Sequence, residues 1–557
     1  MKTTFSWRSR RCHIKAISKI CGVMLLLVMA GVANAAEVED FLPKESILYL
    51  KLQDIDEVYG EIEVSENWEK ALALLPGMPD WQEMQQGLSM FQAMLGTDLL
   101  GIVETVGYRT ALVVWPDEAN SSQIQIGAVI HSGGNLDKLQ QLTKIVEGLL
   151  GMSGENTLRL NAGVYQRVRY NAIEIPDDIV KYGFVDDFLV IGVGEGSFEK
   201  LMDTYRTDLP SIQENTEFAE ALEKIGSGEV VAFANLPPVF SVMYILDESM
   251  RERLAIFQSV FGRLNVLETG PFLQVAVQFN PDLPENEIGL FLREGQRLET
   301  LNALSVEDDL FVTVAPKVVE SMWELVPTDD AAEGISFLEG MLNLNLEEDI
   351  MVGLTGELAL SVPDFTRFDP EALSGFQFEF DGAIALDAGD VETDGGIIFN
   401  PKHRMKWNQV GNSISNLQNA SVSQTNYKGE TVSAVSSNIF HSEVDGLFLI
   451  GFSEEQVYAL IDGIKGKKKP PYLKQVPKSP TAFAQLNLAR VLETQNGSPP
   501  TDKLLVDSNE MAFLLAWLSV EGDEALLEVT LSEEETPIEM IAKLVPFFLW
   551  NMDVEWE

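Results

Sequence analysis

The feature of this sequence that most constrains its fold is an internal repeat at a spacing of about 260 residues. Residues 186–192, Asp-Asp-Phe-Leu-Val-Ile-Gly, align with residues 445–451, Asp-Gly-Leu-Phe-Leu-Ile-Gly. Each segment is typical of a turn and a buried strand, and an amphipathic helix follows each of them. The register continues to Ala-Phe-Ala-Asn-Leu at 232–236, which matches Ala-Phe-Ala-Gln-Leu at 482–486. The sequence therefore predicts two tandem copies of one unit.

The elements inside each copy do not follow the regular strand–helix alternation of a parallel sheet. Apolar periodicity predicts a helix over 136–150 and a longer one over 237–266. Each copy is expected to end in a pair of apolar strands, 272–279 with 287–292 in the first copy and 512–520 with 525–531 in the second. These patterns predict an α+β fold with mostly antiparallel sheets covered by helices. The predicted division is a leader at 1–35, a first repeat at 36–303 and a second repeat at 304–557.

The first 35 residues have the order of an export signal: basic residues, a short apolar run and a small-x-small cleavage pattern at Ala33 and Ala35. The general secretion route is the favoured interpretation. The segment Ser9–Lys15, Ser-Arg-Arg-Cys-His-Ile-Lys, resembles a twin-arginine signal, so that route remains open. Cys12 and Cys21, the two cysteines of the chain, both lie in the leader. We therefore expect a mature chain without cysteine in the periplasm or outside the cell.

Three segments of the chain carry a resemblance to a known family. They are the opening at 41–50, the block at 349–360, and the strand–glycine–helix units at 186–201 and 445–460. Together they resemble domain-of-unknown-function family 3352, a group of exported bacterial proteins. The resemblance would cover most of the mature chain, and it implies no known activity.

The charge of the chain restricts its partners. The formal net charge is −47, and the leader is basic, so the mature chain is more acidic still. A nucleic acid partner is excluded because its phosphates would be repelled. We also expect no stable membrane insertion after cleavage. One basic cluster, Lys465-Gly-Lys-Lys-Lys469, interrupts the acidic composition and is predicted to be an exposed loop. The apolar C-terminal segment 538–552 is predicted to pack as core on the second copy, with an exposed docking patch as the alternative.

Two loops have the composition of a ligand site. Residues 192–197, Gly-Val-Gly-Glu-Gly-Ser, stand where a dinucleotide-binding loop would stand, but Ser197 replaces the third glycine and Glu195 opposes a pyrophosphate. The loop is predicted to be a strand-to-helix turn, and we expect no cofactor. Four acidic residues resemble the start of a calcium loop: Asp387, Asp390, Glu392 and Asp394. Pro401 stands where an EF-hand needs glutamate, so a solvated turn is favoured over calcium binding.

The motifs of common enzymes are missing from the sequence. It contains no His-Glu-x-x-His and no Gly-x-Ser-x-Gly. His131, His403 and His441 are far apart and are predicted to be surface or turn residues. We therefore expect an exported, non-enzymatic binding or scaffolding protein with an unidentified ligand or protein partner. The alternative is a carboxylate-based extracytoplasmic hydrolase acting on polysaccharide, because 86 acidic residues leave many carboxylate pairs open.

Overall fold

The structure is a computed structural model. It describes residues 37–74, 107–117, 124–152, 157–175, 178–206, 209–242, 254–280, 297–305, 308–315, 356–364, 396–400, 423–434, 439–466, 469–491 and 512–550, with a few residues between 85 and 103. The predictions that lie outside these residues are the leader with Ala33 and Ala35, the calcium candidates at 387–394, His403, and the strand at 287–292.

Twenty described strands form one sheet, and every neighbouring pair is antiparallel. The first ten are β1 (Leu48–Gln53), β2 (Arg109–Pro116), β3 (Ile124–His131), β4 (Thr157–Tyr165), β5 (Val168–Ile175), β6 (Asp178–Val185), β7 (Phe188–Val193), β8 (Val230–Asn235), β9 (Phe257–Leu264) and β10 (Leu273–Phe279). The others are β11 (Leu310–Val314), β12 (Glu357–Val362), β13 (Gly396–Asn400), β14 (Gln424–Tyr427), β15 (Glu430–Ala434), β16 (Phe440–Val444), β17 (Leu447–Gly451), β18 (Ala482–Leu486), β19 (Leu514–Glu521) and β20 (Glu524–Leu531).

The strand order is the same in both halves of the sheet. From the centre outward, the first half runs β10-β9-β8-β1-β2-β3-β7-β6-β5-β4. The second half runs β20-β19-β18-β11-β12-β13-β17-β16-β15-β14. The halves join where β10 pairs with β20.

The described helices lie between these strands in the sequence, except for the last one, which follows β20. They are α1 (Ile55–Val64), α2 (Glu66–Leu72), α3 (Leu136–Met152), α4 (Ser197–Tyr205), α5 (Thr216–Ile225), α6 (Leu236–Val242), α7 (Glu454–Lys465) and α8 (Pro537–Trp550). Short 3₁₀ helices span Val38–Phe41, Ile212–Glu214, Glu299–Asn302 and Pro471–Lys474. The predicted α+β class with antiparallel strands and packed helices is confirmed.

Two main hydrophobic cores lie on the same face of the sheet, one in each half. In the first half, Phe198 and Leu201 of α4 pack on Phe188 and Val190 of β7. In the second half, α7 packs in the same way on β16 and β17, with Val457 and Leu460 buried. The amphipathic spacing predicted these buried positions correctly. We call this surface of the sheet the helix-covered face.

The predicted helix over 237–266 is wrong in its second part. α6 is described to Val242, and residues 257–264 are strand β9, which pairs with both β8 and β10. Phe257 and Phe261 are four residues apart, which resembles one helical face. The same residues also fit a strand because alternate side chains share a face, and Ser259 and Phe261 are both buried. Pairing on both sides decides the outcome, as tertiary context often does for short apolar runs.

One predicted strand pairing is also wrong, and two other local predictions are confirmed. The pairing expected between 272–279 and 287–292 does not form, because β10 is paired with β9 on one side and with β20 on the other. The helix expected at 136–150 is α3, and the strand pair expected at 512–520 and 525–531 is β19–β20. Between Leu201 and Ala232 the first half carries a 3₁₀ helix at 212–214 and α5, whereas the described residues between Leu460 and Ala482 of the second half carry the 3₁₀ helix at 471–474 after the end of α7.

Candidate functional site

The glycine-rich loop at 192–197 is a turn between β7 and α4, as predicted. Gly194 and Gly196 have φ angles of 110° and 80°, which are left-handed conformations that favour glycine. The Ser197 hydroxyl donates to the Gly194 carbonyl at 2.7 Å, and the Gln125 side-chain amide donates to the Glu195 carbonyl at 2.8 Å. These bonds hold the loop to its own helix and to β3, which agrees with a structural turn.

The glycine at the end of β7 has a packing role. A Cβ atom on Gly192 would lie 2.3 Å from the backbone nitrogen of Phe198, so only glycine lets α4 approach the strand this closely. Gly451 at the end of β17 lies in the same relation to α7, where a Cβ would be 2.8 Å from Val457. The two aligned glycines therefore have the same packing role, because each lets the following helix lie close to its strand.

The histidine predictions have a mixed outcome. His131 is buried at the end of β3, with its ring 4.1 Å from the centroid of Phe188, so its prediction as a surface residue is wrong. His131 Nδ1 accepts a hydrogen bond from the Gly133 amide at 3.2 Å. His441 is half-buried on β16 and stacks on Phe448. His403 lies outside the described residues.

His441 is expected to make stability depend on pH. Burial lowers the pKa of His441, so the folded state favours the neutral ring. The resulting contribution is fully present above the unfolded pKa of about 6.5 and is lost as the pH falls through the folded pKa. Urea unfolding at pH 8 and pH 5.5 should show a smaller loss of stability on acidification for His441→Gln than for the wild type. Equal losses in both proteins would contradict this assignment.

The described lysines of the basic cluster at 465–469 are exposed, and their ammonium groups have hydrogen-bond or ion-pair partners. The Lys465 ammonium forms an ion pair with Glu430 and donates to the Lys428 carbonyl at 3.0 Å. The Lys469 ammonium donates to the carbonyls of Asn302 and Gly463. Residues 467 and 468 lie outside the described part of the chain. The described lysines thus tie α7 to its own half.

A pair of equivalent polar contacts was missed by the sequence analysis. In the first half, the Tyr165 hydroxyl and the Gln166 amide both donate to Asp203 of α4, with the tyrosine bond at 2.7 Å. In the second half, Tyr427 donates to Asp462 of α7 at 3.1 Å, and the Lys428 ammonium lies 2.5 Å from the same carboxylate. Each contact fastens the turn after an edge strand to the helix on the neighbouring strands.

Buried charges lie on the helix-covered face and have partners. Glu39 accepts from the Tyr49 hydroxyl at 2.6 Å and from the Lys51 ammonium at 2.9 Å. Burial alone would raise the pKa of Glu39, but the charge of Lys51 and the hydrogen bonds hold it below its usual value. In the second half, Asp309 pairs with Arg490 at 3.4 Å. The described residues include no group of three or more acidic, histidine or cysteine side chains placed to share a metal ion.

On the opposite face of the sheet, α3 covers β3, β5, β6 and β7 of the first half. The ten central strands on that side differ in both chemistry and exposure. Across the ten central strands, from β2 to β12, side chains that alternate with the core residues are mostly half-buried. Leu48 is 39% exposed and Ala232 is also exposed, although both belong to strands with neighbours on each side. We call this surface the central apolar face.

Cross-strand pairing defines the rows of the central apolar face. One row contains Leu112, Leu50, Ala232, Gly262, Val275, Leu527, Leu518, Ala482, Val314 and Leu358. A second row contains Thr110, Leu52, Val230, Leu264, Leu273, Val529, Ala516, Ala484, Val312 and Leu360. Both rows cross the junction of β10 and β20 without interruption.

The central apolar face is almost free of polar groups. Thr110 and Gln258 are its polar side chains among the described residues of these ten strands. Lys51, Arg263 and Glu528 instead belong to the helix-covered face, opposite residues of the core. In these strands, charged side chains therefore occur on the helix-covered face beside its apolar core, and the opposite face is apolar and mostly half-buried. At a strand spacing of about 4.8 Å, ten strands extend for about 43 Å.

Two helices from different halves meet at one border of this face. Residues Met540, Leu544 and Phe547 of α8 pack with Leu531 and Leu514, which confirms the predicted core role of the C-terminal segment over its described part. α2 of the first half docks on α8, where the Trp68 indole donates to the Ile538 carbonyl at 3.0 Å. Asn67 donates to Glu539 at 2.8 Å. Leu72 and Ile541 remain 44% and 39% exposed on these helices.

No helix among the described residues is both long enough and apolar enough to cross a membrane. Comparison of the chain with protein-family profiles, curated proteins and solved structures found no match. The resemblance to domain-of-unknown-function family 3352 therefore stays a prediction, and the candidate site rests on the geometry of the central apolar face.

Proposed function

We propose that this chain is an exported, non-enzymatic binding or scaffolding protein that binds through the central apolar face. The observation that carries this proposal is a half-buried sheet surface, ten strands wide, with two polar side chains among its described residues. Apolar area left in water costs about 25 cal/mol per Å², and contiguous apolar patches of this size mark binding surfaces. The pattern thus favours a ligand or partner that removes this surface from water.

We further propose that the two halves are tandem copies of one unit. The equal strand order supports this, as do the aligned glycines 192 and 451 beneath their helices. Asp203 and Asp462 add support, because each receives a tyrosine hydroxyl from the end of an edge strand. Two copies joined edge to edge would double the apolar surface that a single unit could offer to a ligand.

The alternative of a polysaccharide hydrolase has weaker support. Such an enzyme needs two carboxylates that face each other across a cleft. The buried carboxylates of the described residues have structural partners instead. Asp308 accepts from Ser361 at 3.0 Å, Glu357 accepts from the Thr300 amide at 2.7 Å, and Glu229 accepts from the Val266 amide at 2.7 Å. These contacts fix loops and strand ends, so we favour the binding function.

The proposed location is extracytoplasmic, after cleavage of the leader near Ala33 and Ala35. Its support is the basic–apolar–small residue order of the first 35 residues. The net charge of −47 supports a partner other than nucleic acid. The same charge opposes attachment to an anionic membrane surface, in agreement with a protein that is released after export.

A neutral apolar dye tests the proposed function. We expect a naphthylamine dye to bind the mature chain and to gain fluorescence. Leu48→Asp should weaken this binding tenfold or more, because it places a charge on the central apolar face. Leu160→Asp is the matched control, since Leu160 is 57% exposed on edge strand β4, outside the face. Absence of dye binding, or equal weakening by both variants, would argue against the proposal.

A further inference from the structure

The central apolar face has the chemistry of a surface for hydrocarbon chains. We infer that its occupant is a lipid with long acyl chains and a headgroup without net negative charge; this inference rests on the proposed binding function. The backbone groups beneath the face are paired within the sheet. The row through Val275 and Leu527 contains only leucine, valine, alanine and glycine. Such a surface can offer dispersion contacts and burial, but almost no hydrogen bonds.

A protein partner fits this surface less well. Protein interfaces carry about one hydrogen bond per 100–200 Å² and are enriched in tyrosine, tryptophan and arginine. The rows of the face lack all of these residues. A second copy of the chain is disfavoured for two more reasons. The two rows over ten strands cover about 600 Å², below the roughly 800 Å² per partner of a stable interface. Two chains of net charge −47 also repel each other.

The length of the central apolar face across its strands indicates how many acyl chains it can bind. Five strands of one half span about 20 Å at the usual strand spacing. One leaflet of a bilayer, half of a hydrocarbon core of about 30 Å, is about 15 Å thick. Each half can therefore accommodate one extended acyl chain along its rows. A lipid with two chains would occupy both halves across the junction of β10 and β20.

The charge of the protein restricts the headgroup. No lysine or arginine belongs to the central apolar face among its described residues, and the chain as a whole is strongly acidic. An anionic headgroup would meet a repulsive field without a local cation to offset it. A zwitterionic or uncharged headgroup avoids this cost, so phosphatidylcholine is a suitable probe.

The test is native mass spectrometry of the full mature chain after incubation with dipalmitoyl phosphatidylcholine vesicles and removal of the vesicles. We expect one lipid per chain. Lysophosphatidylcholine, with one acyl chain, should bind two per protein, and glycerophosphocholine, with none, should not bind. Leu48→Asp and Ala232→Asp should reduce lipid binding tenfold or more, whereas Leu160→Asp should not. Circular dichroism of each variant checks that the fold is retained, and Ala232→Asp serves if Leu48→Asp fails to fold.

The outcomes separate this inference from the proposed function. Dye binding without lipid binding would overturn the lipid and leave the binding face in place. Absence of both would overturn both proposals. If Leu160→Asp weakened lipid binding as much as Leu48→Asp, the lipid would not be bound on the central apolar face, and the inference would be overturned. A dimer at micromolar concentration that Leu48→Asp dissociates would identify a second copy as the occupant, which would also overturn it.

Discussion

Replacing Phe198 with alanine is expected to lower the free energy of unfolding by about 3–5 kcal/mol. Phe198 is fully buried in α4, and its ring lies 5.4 Å from the ring of Tyr170 between centroids. Truncation removes the buried ring and leaves a cavity between the helix and β7, and both elements are too regular to collapse into it. Urea unfolding followed by circular dichroism measures the change.

Leu160→Ala is the control for the Phe198 variant. Leu160 is 57% exposed on edge strand β4, so its truncation should change the free energy of unfolding by no more than about 0.5 kcal/mol. Comparable losses in the two variants would contradict the assignment of Phe198 to the core.

Gly192→Ala is expected to cost about 3 kcal/mol, although it adds one methyl group. The new Cβ would lie 2.3 Å from the Phe198 backbone nitrogen, and a backbone atom cannot move aside as a flexible side chain can. The start of α4 must therefore shift away from β7, which loosens the contacts of Phe198 and Leu201. Thermal unfolding of the variant and the wild type measures the effect.

Gly148→Ala is expected to change the stability of the protein in the opposite direction to Gly192→Ala. Gly148 lies in α3, and a Cβ there would meet no atom within 4 Å. Alanine in an open helical position should stabilise the protein by about 0.5–1 kcal/mol. If both glycine variants moved the unfolding transition in the same direction, the close approach of α4 to β7 would not explain the effect at Gly192.

Local periodicity predicted the elements that bury one face. The spacing of leucines in α3 and the apolar runs of β19 and β20 identified these elements correctly. The same approach assigned Phe257 and Phe261 of β9 to a helix, because short apolar runs fit both periods. The partners of β9 are β8 at 230–235 and β10 at 273–279, and both lie outside the segment 237–266 whose periodicity was used for the prediction.

The candidate site could not be predicted because the alternation in β1 suggests the wrong face. Leu48, Leu50 and Leu52 alternate with Tyr49 and Lys51, a pattern that predicts buried leucines and an exposed lysine. In the structure Lys51 is 9% exposed and Leu48 is 39% exposed. Glu39 comes from the preceding 3₁₀ helix and pairs with Lys51, so burial of the lysine depends on a contact outside the strand.

The polar contacts of Asp203 and Asp462 left a faint sequence signal. Asp203 lies five positions after the buried Phe198, and Asp462 lies five positions after the buried Val457. The tyrosine that donates to each aspartate comes directly before a turn. Gln166 and Lys428, the first turn residues, have positive φ angles of 46° and 49°. The signal was missed because different residues, glutamine and lysine, occupy the equivalent turn positions.

The continuous pairing of β10 with β20 makes the halves poor candidates for separate expression. Six residues of each strand face a partner across this junction. A fragment cut between the halves would end in a bare strand with a full row of open backbone donors and acceptors, flanked by valine and leucine. Bare edges of this kind recruit other chains and aggregate. Fragments that contain only one half would therefore aggregate, and experiments on either half require the intact polypeptide.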